Sequence, residues 1–137
     1  MLSRRDSRVL LGGIAVALVA AAGLIGFEYV YEQGDLRDRA EAITGGDAAR
    51  GKQLLSSYGC GGCHNIPGVA QAQGMVGPPL DTIGARGFIA GRLENTPANM
   101  ERWIENPQEM SPGTAMPNLG VGHRDARDMT AYLYTRS

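Results

Sequence analysis

Cysteine occurs at only two positions in this 137-residue chain, and both fall in Cys60-Gly61-Gly62-Cys63-His64. Two thiols at that spacing, with an imidazole directly behind them, leave few chemistries open. A domain stapled by disulfides would carry more cysteines at wider spacing. A thioredoxin-like dithiol needs a surrounding strand–helix–strand pattern, and the flanks show none. A structural zinc needs two further cysteine or histidine ligands, whereas the only other histidine is the distant His123. The spacing suits covalent attachment of one haem c. The thiols add across two vinyl groups on one porphyrin edge, and the next residue, His64, is held beneath the iron as the proximal ligand.

The chain around the motif reads as a wrapping for such a group. Residues 65–95 and 107–122 are rich in glycine and proline and hold no sustained period. Loops of that length are poor evidence for an ordinary small domain, but they make sense in a chain folded around a large prosthetic group. Helices are expected in between. Asp47 is a good cap for a helix that Gly59 ends. Thr96 and Pro97 pair a capping hydroxyl with a proline at the first helical position, and that helix should run through Trp103 and stop before Pro107. A last helix starts near Gly122 or His123, has Asp125 and Asp128 in or near its first turn, and carries Ala126, Met129, Ala131, Tyr132 and Leu133. One helical turn near 80–83 is the only structure expected in the first loop, and no strand is expected. The sum is an all-α domain at 47–137, with three to four short helices around one haem. A domain this small buries a modest core and benefits from a staple.

The N-terminus is of another kind. Residues 1–8 carry Arg4, Arg5 and Arg8 against Asp6, and residues 9–30 are almost purely apolar, Glu28 being the one charge. About 20 helical residues cross a bilayer, so residues 9–31 read as a single transmembrane anchor. The leading arginines place residues 1–8 in the cytoplasm and the haem domain outside it. Tyr29 and Tyr31 fall at the height of an interfacial aromatic belt. A cleaved signal peptide ending near Ala20-Ala21-Ala22 is the rival reading, but the apolar run continues through Leu24, Ile25 and Phe27. Residues 32–46 are polar, end in Gly45-Gly46 and read as a linker, with a short helix at most around 36–43.

Iron bound by His64 on one side needs a sixth ligand or an open position. Met100 and Met129 fall in expected helices, where methionine is more often core filler. Met116 sits in Pro112-Gly113-Thr114-Ala115-Met116-Pro117, a stiff, extended loop able to present a thioether, and is the preferred ligand. Met75, Met110 and His123 stay open as alternatives. A histidine/methionine pair leaves no free site on the iron, which disfavours catalysis there and suits one-electron transfer with little reorganisation. The thioether also raises the potential relative to two histidines.

Over residues 46–136 these elements resemble the class I cytochromes c. Gly51, Gly77-Pro78-Pro79-Leu80, Thr114-Ala115-Met116-Pro117 and Ala131-Tyr132-Leu133 fall in the family's order. The resemblance implies that the Pro78 carbonyl accepts the Nδ1 proton of His64, and that Gly51 lets the last helix cross closely, against an aromatic such as Tyr132. Arg86 and Trp103 become candidates for holding the haem propionates, through charge and an indole N–H, against the plainer readings of a solvated loop charge and core packing. Arg102-Trp103-Ile104-Glu105-Asn106-Pro107 and Asp125-Ala126-Arg127-Asp128 are similar to small membrane-anchored cytochromes c of bacterial respiratory chains and to domains associated with haem–copper oxidases. That resemblance implies a carrier between a quinol–cytochrome c oxidoreductase and a terminal cytochrome c oxidase, either a tethered shuttle or a subunit, on the outer, periplasmic side of the bacterial inner membrane. The alternative is the electron-outlet subunit of a periplasmic dehydrogenase.

Charge narrows the partners. Residues 32–137 carry ten basic and twelve acidic side chains, and Lys52 is the only lysine. No basic face speaks for nucleic acid, and nothing in the pattern speaks for a small-molecule substrate. Without a lysine ring, docking should rely little on long-range steering, which a membrane tether offsets by raising local concentration.

Overall fold

The computed structural model describes residues 4–136, with side chains from residue 11 onward. The chain forms two units, Met1–Asp35 and Leu36–Ser137. The expected cytoplasmic segment, 1–8, lies outside the described side chains.

The first unit is helical. Helix α1 spans Arg4–Thr44 and so continues into the second unit. Its apolar stretch is long and apolar enough to cross a membrane, with a mean hydropathy of 2.0 and none of that window buried. Val16, Val19 and Ile25 are each at least 70% exposed. A surface of that kind is stable in lipid and unfavourable in water.

Within the polar stretch 32–46 the helix is longer than the short one expected around 36–43, because residues 32–44 are all helical. Leu36, Arg37, Arg39, Ala40, Glu41 and Ala42 are good helix formers, and Arg37 pairs with Glu41 one turn on at 2.9 Å. Ala40 and Thr44 fall on one stripe and are buried. Gly45, at φ +69°, ends the helix. The Glu41 carboxylate accepts the amide of Ala48 at 3.0 Å and so caps the next helix from outside.

Helix α2 is Ala48–Ser57, capped by Asp47, whose carboxylate accepts the Arg50 amide at 3.0 Å. Helix α3, Pro97–Glu105, starts with Thr96 accepting from the Asn99 amide and Pro97 in the first turn. Helix α4, Pro107–Met110, was not expected. Asn106 and Pro107 repeat the cap-and-proline signal of Thr96 and Pro97 in a four-residue form. Helix α5 is His123–Tyr134. Single 3₁₀ turns lie at Cys60–Gly62 and Ile83–Ala85.

The absence of strand expected from sequence is corrected in a small way. Phe88–Ile89 (β1) pairs antiparallel with Leu93–Glu94 (β2). Ala90 and Gly91, both at positive φ, close this hairpin. The fold class remains all-α.

Helix α5 is the spine of the core. Its Ala126, Met129, Ala131 and Leu133 are fully or almost fully buried, together with Leu55 of α2 and Met100 and Ile104 of α3. α2 crosses α5 at Gly51, where a Cβ would run into the Asp128 carbonyl and the Met129 amide nitrogen. The crossing thus lies one turn before Tyr132, the aromatic expected there. The Tyr132 hydroxyl instead donates to the Pro67 carbonyl at 2.8 Å. Arg50 ties the same two helices together by pairing with both Asp125 and Asp128. Asp128, 6% exposed, also accepts the Asp47 amide at 2.8 Å, so its burial is compensated.

Candidate functional site

The cysteine motif is shaped by its own turn. Gly59, at φ +72°, stops α2. The Cys60 carbonyl then accepts the amides of Cys63 at 3.2 Å and His64 at 3.0 Å. This turn brings Cys60, Cys63 and His64 to one wall of a cavity of about 560 Å³. That volume lies inside the range of about 300–1,000 Å³ usual for cofactor sites. The two cysteines form no disulfide with each other. Burial pushes the Cys60 thiol up, the opposite of the low-pKa thiolate that dithiol oxidoreductases need.

The loop after the motif presses on its back through glycines. The Gly74 amide donates to the Gly61 carbonyl at 3.0 Å and the Gly77 amide to the Cys63 carbonyl at 2.8 Å. A Cβ at Gly77 would stand 2.7 Å from Nδ1 of His64, so only glycine lets the loop pass the imidazole. Nδ1 of His64 lies 2.7 Å from the Pro78 carbonyl oxygen. A carbonyl can only accept, so Nδ1 carries the proton, and in the neutral ring Nε2 keeps its lone pair for a metal.

The loop 111–119 supplies another part of the lining, with Met116 half-buried. The other candidates for a sixth ligand are placed differently. Met75 is 93% exposed and Met110 packs on the core, neither lining the cavity. His123 sits on the surface with Nδ1 2.6 Å from a Glu105 carboxylate oxygen. Met100 and Met129 do reach the cavity, from helices α3 and α5.

Arg86 and Trp103 both line the cavity. The Arg86 guanidinium donates to the Pro79 carbonyl at 2.6 Å and lies 3.6 Å from the Asp81 carboxylate. Trp103 is buried, and its indole N–H finds no acceptor among the described residues.

Two carboxamides that the sequence reading passed over organise these walls. The Asn95 side chain donates to the carbonyls of Ile83 and Arg86, both at 2.7 Å, and accepts the Tyr134 hydroxyl at 3.0 Å. Burial pushes Tyr134 up to about 12. Gln108 likewise donates to two carbonyls of the methionine loop. A loop asparagine and a surface-type glutamine carry no sequence signal for such roles.

Two thiols, an imidazole with one nitrogen spoken for, a thioether and a largely apolar lining fit a covalent haem. The family model for cytochrome c matches residues 48–137. A cytochrome c2 of Rhodomicrobium vannielii is 31% identical over 111 residues, covering 71% of this chain and 85% of that protein. Cytochrome c oxidase subunit 2 of Alkalihalophilus pseudofirmus is 37% identical over 87 residues, and that of Bacillus sp. strain PS3 is 27% identical over 90. Those matches cover 63% and 64% of this chain, which spans about a quarter of each subunit's length. This chain belongs to the cytochrome c family, as a class I member. Its cofactor is haem c, with Cys60 and Cys63 at the attachment spacing.

Proposed function

We propose that this protein is a membrane-anchored mono-haem cytochrome c that passes single electrons from a quinol–cytochrome c oxidoreductase to a haem–copper terminal oxidase, as a resident subunit or close neighbour of the oxidase. Haem c supplies a one-electron ferric/ferrous couple when bound. In this reading His64, oriented by the Pro78 carbonyl, and Met116 would hold the iron. Met116 would occupy the side of the haem that a substrate or gas would otherwise reach, so the chemistry left to the bound group would be outer-sphere transfer of single electrons.

The observation that carries the reading is one cavity lined by the two thiols, by an imidazole whose other nitrogen is already hydrogen-bonded, and by a loop thioether. Arg86 and Trp103 act here on the propionates, Trp103 with an otherwise unused indole N–H. Likeness to proteins named as oxidase subunits supports the oxidase as partner. The exposed apolar stretch of α1 supports residues 9–31 as the anchor. Arg4, Arg5 and Arg8 support an N-terminus in the cytoplasm and a haem domain on the periplasmic side. Residues 32–44 are helical, and a semi-rigid helix samples fewer positions than a flexible coil, which favours a resident subunit over a long-reach shuttle.

Purification of the full chain from detergent-solubilised membranes tests this. Haem–copper oxidase subunits should co-purify, and the intact mass should include the N-terminal segment plus one haem. Recovery with a dehydrogenase instead, or a mature mass lacking residues 1–22, would overturn the partner or the anchor respectively.

A further inference from the structure

We propose that Gln108 is the positioning residue for Met116, and that its carboxamide sets how firmly the sixth ligand is held. The proposal rests on reading Met116 as an axial ligand. The loop that presents this thioether has little structure of its own. Among the described residues, 115–121 make no backbone–backbone hydrogen bonds, and the turn before them is held by the Thr114 amide on the Ser111 carbonyl at 3.1 Å. Pro117 removes a further donor next to Met116. Gly113 takes φ +81°, a conformation other residues rarely adopt.

Gln108 fills that gap. Its Nε2 donates to the carbonyls of Thr114 and Met116, both at 2.7 Å. Its Oε1 accepts the Gly113 amide at 3.3 Å. Its own amide donates to the Asn118 side-chain oxygen at 3.3 Å. One half-buried side chain therefore holds the loop before and at the ligand, and the backbone amide of the same residue holds it after. Gln108 is itself placed by α4, whose Asn106 cap and Pro107 fix the helix start. The backbone of Met116, and with it the direction of the thioether, is pinned to a helix end by this amide.

The test compares haem-loaded, full-length variants. Met116→Ala comes first and should abolish the weak far-red ferric band that a thioether ligand gives. Gln108→Leu and the nearly isosteric Gln108→Glu should weaken that band and lower the potential. Imidazole should bind their ferric forms about tenfold more tightly, the scale of two lost neutral hydrogen bonds. Gln108→Lys keeps cationic donors for the two carbonyls and should restore near-parental imidazole affinity. Amide exchange at Gly113 should quicken in the leucine variant. Should Met116→Ala keep the band, the ligand reading falls and this proposal with it. Should Met116→Ala lose it while Gln108→Leu and Gln108→Glu keep the parental band, potential and imidazole affinity, Gln108 is not the positioning residue and the ligand reading stands. A lysine variant as impaired as the leucine one would also overturn the role of the donor.

Discussion

The two sides of the cavity are built by different means. The His64 wall is held by backbone. Gly61 and Gly74 bring main chain against main chain, Gly77 lets the loop pass the His64 ring, three amide–carbonyl bonds link the loop to the motif region, and the Pro78 carbonyl accepts a hydrogen bond from that ring. The Met116 wall is held by side chains, with Gln108 and Asn118 standing in for a hydrogen-bond ladder the loop lacks. Backbone contacts of the first kind are part of the folded core, so disturbing them should cost global stability. Side-chain struts of the second kind can be lost locally, so disturbing them should loosen one ligand while the domain stays folded. With Met116 as the proposed sixth ligand, such an arrangement would keep the covalent side invariant and leave the strength of that ligand to a few residues.

Three substitutions test that contrast. Gly77→Ala places a Cβ against the His64 ring and should destabilise the holoprotein by ~3 kcal/mol, the upper range for overpacking, seen as a lower denaturant midpoint and poor haem loading. Asn95→Ala orphans the carbonyls of Ile83 and Arg86 and should cost about 2 kcal/mol in the same assay. Gln108→Leu should cost only ~1 kcal/mol globally, because water can reach the half-buried loop, yet it should change imidazole affinity more than either. If Gly77→Ala moved imidazole affinity and left stability alone, the division between the walls would be wrong.

The smallest effect should come from pH. The Tyr58 hydroxyl and the Arg50 guanidinium hold the Asp125 carboxyl below its ordinary range. A lowered folded-state value means stability that is present above the unfolded value of about 4 and is lost as pH falls through the folded one. Asp125→Asn should flatten the acid limb of the stability profile. Although Tyr58 lines the cavity, it should leave imidazole affinity unchanged, since Asp125 ties α5 to α2 and touches neither ligand wall.

What could be read from the sequence follows from how local each cause is. The motif is contiguous because one turn must present two thiols and an imidazole together. Thr96-Pro97 marks a helix start through bonds within four residues. The same logic applied to Asn106-Pro107 marks α4, and the Arg37–Glu41 pair with the 40/44 stripe marks the extension of α1, so both were legible in principle. Asn95 and Gln108 were not, because their partners lie 5–39 residues away and a carboxamide looks alike in every loop. The close approach at Gly51 was legible as a need for glycine, but its partner, the Asp128 carbonyl, is set by the crossing of α2 and α5.

A dedicated electron carrier with His64 and Met116 as the proposed ligands would keep carbon monoxide off its iron. The ferrous spectrum of the intact protein, recorded with and without carbon monoxide, asks that directly. An unchanged spectrum is the predicted result; prompt conversion to a carbon monoxide complex would mean an open or labile sixth position and would contradict the reading of this protein as a dedicated electron carrier.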